Sequence, residues 1–321
     1  MDKEALSTEE VTASREVISS MTQSLKGIIK GKDRVIGDLI TAMLAGVNVL
    51  LEDVPGTGKT TLAKGLARSI SGRFKRIQFT PDLLPSDVLG SSIYNPREGT
   101  FSFREGPVFT NILLSDEINR ASPRTQSSLL EAMSERQVTI EGTRYPLPDF
   151  FMVIATQNPV EFHGTYPLPE AQLDRFGVTL TIGYPDMDCE VEVFDSQREH
   201  HPIEDAVPVV DIAGVLKLQK AVRQVKVSRQ VAYYIAAMGK FSREDTRLRL
   251  GISTRGTLML YRMAQAHAFS QGRDYAEPDD VKAMAVKTLA HRIVLDTKFK
   301  YSGVTKSQVI EEILEKTPVP I

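Results

Sequence analysis

Cysteine is nearly missing from this 321-residue chain. Cys189 stands alone, so no internal disulfide can form, and no His or Cys accompanies it at metal-ligand spacing. That usage suits a reducing compartment, and a cytoplasmic location is expected. Long apolar runs are missing too: nothing approaches the roughly 20 residues a helix needs to cross a bilayer, and the acidic, Ser/Thr-rich start is unlike a signal peptide. Direct membrane insertion is therefore not expected. Nor is there an excess of one charge, since 39 Lys and Arg face 41 Asp and Glu, which leaves no global field to attract nucleic acid. Repeats and low-complexity tracts are absent. With 41% hydrophobic and 25% charged residues the composition is that of a globular protein, long enough for two domains or one with an appendage.

What is present is concentrated first between Leu50 and Thr61. Val47 to Leu51 reads as a buried parallel strand, and Thr60 to Ile70 reads as a helix with Leu62, Ala63, Leu66, Ala67 and Ile70 at helical spacing. Between them Pro55-Gly56-Thr57-Gly58-Lys59-Thr60-Thr61 has the form of a phosphate-binding loop. Its glycines let the backbone approach an anion, its N–H groups and helix start face the phosphates, and Lys59 and Thr60 offer a β/γ-phosphate contact and a Mg²⁺ ligand. Asp53 stands where that pattern usually has its first glycine. A plain glycine turn before a helix is the alternative reading.

Upstream, the first dozen residues are polar and expected to fray, and an amphipathic helix is expected from Ser14, ended by Gly31. A second helix spans residues 33 to 45. Ile29-Lys30-Gly31 either lines a base pocket or simply ends the first helix. Downstream, Phe74 to Phe79 predicts a strand, a helix opens near Ser86, and residues 91–94 and 100–104 flank a turn-rich loop as an inserted hairpin. Asn111 to Glu117 is a buried strand ending in two carboxylates. At the carboxyl end of a parallel strand beside a phosphate loop, Asp116 can hold Mg²⁺ and Glu117 can polarise an attacking water. Ser122-Pro123 starts the next helix, and Glu141-Gly142 joins a tight hairpin. The apolar strand from Phe150 delivers Thr156-Gln157-Asn158-Pro159, a polar end placed to touch a γ-phosphate or its water. Arg175 follows a helix-like turn, where a surface ion pair is the ordinary fate of an arginine.

Near Tyr184-Pro185 the α/β pattern stops and the remainder reads as helices at 212–225, 230–241, 254–270 and 278–291. The last is opened by Pro278-Asp279-Asp280 and closed by Lys287, His291 and Arg292, as the helix dipole prefers. His267 reads as a core-edge residue, and His200 with His201 as a loop.

These stretches together resemble the MoxR branch of the AAA+ ATPases. The likeness is carried by Glu52 to Thr60, Leu114 to Ala121, Ala155 to Pro159, Gly164 to Phe176, and Arg273-Asp274-Tyr275 with Pro278-Asp279-Asp280-Val281. It implies an α/β fold: an αβα sandwich with a parallel sheet, the P-loop AAA+ core, over residues 1–185, followed by a small all-α lid over 186–321. It also makes Asp53 part of a familiar opening and the hairpin at 91–104 the insertion that marks the clade. By resemblance, ATP is held at Pro55 to Thr61, Mg²⁺ by Thr60 and Asp116, Glu117 is the catalytic base and Asn158 is sensor 1. Arg175 looks like a finger donated to a neighbouring subunit, with Arg120 a weaker candidate. Arg255 looks like sensor 2, although Thr254 replaces the usual proline before it, and Gly31-Lys32 replaces a more usual Gly-Gln.

The function so implied is Mg²⁺-dependent ATP hydrolysis in a homo-oligomeric ring, a hexamer, that remodels or activates a client protein complex, often with a von Willebrand factor A domain partner. Rivals are a nucleic-acid or metal-chelatase motor subunit, a nucleotide-gated binding module with little turnover, and a small-molecule kinase. The near-neutral charge speaks against nucleic acid, and the paired carboxylates with Asn158 speak against mere binding.

Overall fold

The computed structural model describes residues 6–97, 99–158, 165–198, 200–300 and 302–320. Helix α1 (Thr8–Ile28) begins earlier than the polar start suggests. Ser7 Oγ accepts from the Glu10 N–H while the Glu10 carboxylate accepts from the Ser7 N–H, a reciprocal cap that holds the first turn. Its Ile18, Met21 and Leu25 are buried. Helix α2 (Asp33–Ala45) ends at Gly46 in the left-handed region.

The α/β part then runs β1 (Val49–Glu52), α3 (Lys59–Ser69), β2 (Phe74–Gln78) and α4 (Pro85–Leu89). The inserted hairpin β3 (Gly90–Asn95) and β4 (Thr100–Glu105) follows, antiparallel as expected. Next come β5 (Ile112–Asp116), α5 (Pro123–Glu135), the hairpin β6 (Gln137–Ile140) and β7 (Thr143–Pro146), β8 (Met152–Gln157), α6 (Glu170–Leu173) and β9 (Val178–Leu180). Glu141 and Gly142, both at positive φ, make the tight turn between β6 and β7.

Five parallel strands form one sheet in the order β2-β5-β8-β1-β9. Alternate residues supply two cores. Leu50, Leu113 and Val153 pack with Val88, Leu129 and Leu130 of α4 and α5, whereas Leu51, Ile112 and Ile154 pack with residues of α1, α2 and α3. Burial on both faces explains why these strands read as unbroken apolar runs. The result is the expected αβα sandwich.

The rest is α7 (Met187–Ser196), α8 (Ile212–Val222), β10 (Lys226–Val227), α9 (Arg229–Glu244), β11 (Leu248–Leu250), α10 (Thr254–Ser270), β12 (Tyr275–Ala276), α11 (Pro278–Leu289), β13 (Val294–Leu295), α12 (Thr297–Lys300) and α13 (Lys306–Lys316). Helices α7, α12 and α13 escape the sequence reading, and the short ladders β10–β12 and β11–β13 add to a lid expected to be all helical. The lid shares its core with the first layer of helices: Met238, Met263 and Met284 lie in one apolar cluster with Met21, Leu39 and Leu66. An ion pair of 2.5 Å from Lys287 to Asp38 also joins α11 to α2. Burial pushes the Asp38 carboxyl up, and Lys287 opposes that shift.

His291 and Arg292 do not serve as exposed dipole partners at the end of α11. Both are buried in a 3₁₀ turn that follows it. The Arg292 guanidinium donates to Asp174 Oδ1 at 2.9 Å and to the carbonyls of Phe176, Gly177 and Thr288. Five acceptors, the Asp174 carbonyl among them, compensate the desolvated charge, and the contact bolts the lid to the amino end of β9. Burial still lowers this guanidinium to about 10, with Asp174 opposing. His200 pairs with Asp205 in a loop, and His267 with buried Asp280 between α10 and α11.

Candidate active site

The parallel register brings the polar strand ends to one edge of the sheet. Gln78 is opposite Asp116, Leu51 opposite Thr156 and Glu52 opposite Gln157, so β2, β5, β8 and β1 all terminate beside the loop that follows β1. In an open parallel sheet the carboxyl ends are where ligands bind.

The loop itself has the shape its glycines permit. Gly56 and Gly58 sit at φ 85° and 87°, and a Cβ on Gly56 would meet no atom within 4 Å, so that side of the loop is open to a ligand. Helix α3 starts at Lys59, which places the N–H groups of Lys59, Thr60 and Thr61 in its unpaired first turn. Lys59 Nζ folds over the loop and donates to the carbonyls of Asp53 and Val54 at 3.0 and 3.1 Å. Thr57 is buried, with its hydroxyl on the Val54 carbonyl, while Pro55 and Gly56 are exposed.

Asp53 has a structural task that the sequence pattern hides. Its Oδ1 accepts from the Val54 N–H at 2.9 Å, and its Oδ2 accepts from the Ile182 and Gly183 N–H groups at 2.7 and 2.8 Å. The carboxylate is buried and ties the phosphate loop to the segment that leaves β9 for the lid.

At the next strand end, Asp116 Oδ1 accepts from Thr156 Oγ1 at 2.6 Å, and Oδ2 accepts from Arg76 Nη2 at 2.6 Å. Thr156 Oγ1 in turn accepts from the Glu117 N–H at 2.8 Å, so one hydroxyl orients both acids. Glu117 adopts a left-handed backbone, φ 55° and ψ 50°, which a non-glycine residue holds only when its surroundings enforce it. Its Oε2 accepts from Gln78 Nε2 at 2.8 Å and from Arg120 Nη1 at 2.9 Å. Arg76 and Gln78 are thus neighbours of the site missed in the sequence; their signal was their place on the strand that precedes the carboxylate strand.

Asn158 is buried one residue beyond β8, and the adjacent Gln157 carbonyl accepts from the Asp53 N–H, which sets Asn158 next to the phosphate loop. Pro159 and Gly164 lie outside the described residues. Gly31, at φ 67°, sits so close to Cys189 of α7 that a Cβ would overlap it, and Ile29 touches the Gly58 position. The Lys32 ammonium also donates to the Tyr184 carbonyl at 2.7 Å. The turn after α1 therefore joins the phosphate loop to α7. Arg175 and Arg255 are elsewhere. Arg175 Nη1 donates to the Leu130 carbonyl and Ser134 Oγ at the end of α5, while Arg255 Nε lies 3.7 Å from Asp174 Oδ2, in the cluster that Arg292 bolts.

The donor set fits a nucleotide with Mg²⁺. Among the described residues no group of three or more His, Cys, Asp and Glu is arranged to hold a metal alone. Mg²⁺ would need none, since it typically takes one or two protein ligands beside phosphate oxygens and water, and Thr60 and Asp116 would supply them. Among the described residues no helix is long and apolar enough to cross a membrane.

Comparison with known proteins agrees with this geometry. The ATPase family associated with various cellular activities (AAA) is matched over residues 48–178, and the AAA lid domain over residues 240–313. Chaperone MoxR1 of Mycobacterium tuberculosis is 37% identical over 92% of this chain and 80% of its own length. Protein YeaC of Bacillus subtilis is 45% identical over 95% of each chain. A solved structure of a protein described as an ATPase from Cytophaga hutchinsonii superposes with a TM-score of 0.90, at 38% identity and 98% coverage of both chains.

Proposed function

Since the chain belongs to the MoxR family of AAA+ ATPases, we propose that it hydrolyses ATP with Mg²⁺ at the contacts of a homo-oligomeric ring, a hexamer, and uses the cycle to remodel a client protein complex. The observation that carries the hydrolytic reading is the Asp116–Thr156–Glu117 arrangement beside the phosphate loop. One threonine hydroxyl bonds the Asp116 carboxylate and the Glu117 backbone N–H, and Gln78 and Arg120 hold the Glu117 carboxylate.

The loop N–H groups and Lys59 bind and orient the phosphates. Asp116 and Thr60 hold the metal, which when bound offsets phosphate charge. Glu117 orients the attacking water and receives its proton, and Asn158 positions the γ-phosphate end. Arg175 serves the nucleotide of a neighbouring subunit as its finger, and Arg255, 3.7 Å from Asp174 at the start of α10, serves as sensor 2. A chaperone-like role is supported by the relative named as a chaperone, and a protein with a von Willebrand factor A domain is the partner class proposed by family resemblance.

Glu117→Gln tests the hydrolytic reading: ATP binding is retained and turnover is lost, and unchanged turnover would sink it. Arg175→Ala alone is expected to be inactive but to regain activity when mixed with Lys59→Ala, because an intact finger and an intact loop then meet across one contact. No recovery at any mixing ratio would remove the trans role.

A further inference from the structure

Helix α7 is fastened to the body of the protein by one side only. Cys189, Val193 and Ser196 are half-buried, whereas Met187, Val191 and Phe194, spaced by four and three residues on the opposite face, are 80%, 50% and 65% exposed. The stripe is flanked by carboxylates: residues 186–196 carry five, and no basic residue. A ten-residue helix that buries no side chain of its own, and exposes an apolar stripe, is a face made for a partner.

The lid carries a face of opposite charge. Arg255, Leu258 and Arg262 line one exposed side of α10 at spacings of three and four, and exposed Arg249 of β11 reaches Glu170, in the same short helix-and-turn segment as the Asp174 that Arg255 approaches. Leu258 is about half exposed, and Arg249 is 70% exposed even with Glu170 at 3.5 Å. Each face therefore combines apolar surface with a charged border, one acidic and one basic.

The two lie at opposite ends of strand β9. Helix α7 follows its carboxyl end. Arg249 and Arg255 sit against Glu170 and Asp174, which precede its amino end. A second copy can bring the two together head to tail, and a repeated head-to-tail contact closes into a ring when its rotation closes.

We propose that the acidic-apolar face of α7 docks on the basic-apolar lid face of the next copy of this chain. The inference rests on the ring reading above and names the surface that would build it. Three apolar side chains are a small area, so the contact supplements the one through the nucleotide and sets its polarity and register.

Charge reversal tests it, on the full chain with Mg²⁺ and a slowly hydrolysed ATP analogue, by sedimentation velocity. Glu190→Lys with Asp195→Lys reverses the helix border; Arg249→Glu with Arg262→Glu reverses the lid border. Each pair alone is expected to raise the concentration for half-assembly at least about tenfold. An equal mixture of the two variants, or all four substitutions in one chain, is expected to assemble like the unaltered protein, since opposite borders then meet again. If either pair assembles normally, or the mixture stays dissociated, the docking face is wrong while the ring stands. If the unaltered chain does not assemble, both fall.

Discussion

Gln78 Nε2 donates to Glu117 Oε2 at 2.8 Å, reaching from the end of β2 to the end of the adjacent β5. Arg120 donates to the same oxygen. Two donors occupy the oxygen that would take the proton of the attacking water, so Gln78 restrains the candidate base. Gln78→Ala is expected to raise basal ATP turnover about threefold to tenfold, which corresponds to about 0.6–1.4 kcal/mol of barrier. Nucleotide affinity should not change. Steady-state turnover and a binding titration measure both, and a lower turnover would show that Gln78 positions Glu117 instead.

Asp53 satisfies three N–H groups that otherwise have little access to water. Restoring the glycine of the common loop pattern, Asp53→Gly, is therefore expected to destabilise the protein by about 3 kcal/mol or more, because each unsatisfied buried donor costs about 1–3 kcal/mol. Asp53→Asn keeps one acceptor oxygen and should lose less. Denaturant midpoints of the two variants rank them, and a neutral Asp53→Gly would contradict the anchoring role.

His291 couples the lid contact to pH. Burial first, and the Arg292 charge second, hold its imidazole well below the ordinary histidine value of 6.5. Below about pH 6.5 the unfolded chain therefore binds a proton that the folded chain refuses. Stability is expected to fall as pH drops through that value, by about 1.4 kcal/mol per unit until the folded group also titrates, and to show no contribution above it. The difference in unfolding free energy between the native protein and His291→Gln, followed from about pH 7.5 to about pH 5.5, isolates this slope from the carboxylates. A difference that stays constant with pH would show that the ring is not buried in its neutral form.

Much of the site was legible because phosphate chemistry needs fixed residue types at fixed local spacing. Gly56, Gly58, Lys59 and Thr60 lie within five residues, and Asp116-Glu117 ends an apolar run that can only be a buried strand. What was not legible depends on pairs remote in sequence. Thr156 and Asp116 are 40 residues apart, Asp53 and Gly183 130, and Arg292 and Asp174 118. None of these partners announces the other. The early start of α1 was readable in principle, from Ser7 and Glu10 three residues apart, and was masked by the polarity of its exposed first turns. Helix α7 was not, since a helix with no buried side chain of its own lacks the strong apolar periodicity by which helices are recognised.

The sequence by itself therefore determined the local chemistry: a phosphate loop, two strand-end carboxylates, the alternation of strand and helix to residue 185 and a mainly helical remainder. Those follow from backbone freedom at glycine and from the burial demanded of apolar runs. Only the tertiary structure decided that Asp53 anchors the way out of β9, that Gln78 and Arg120 restrain Glu117, and that His291 and Arg292 are buried bolts of the lid. Those depend on which strands become neighbours and in what register, a property of the whole packed chain.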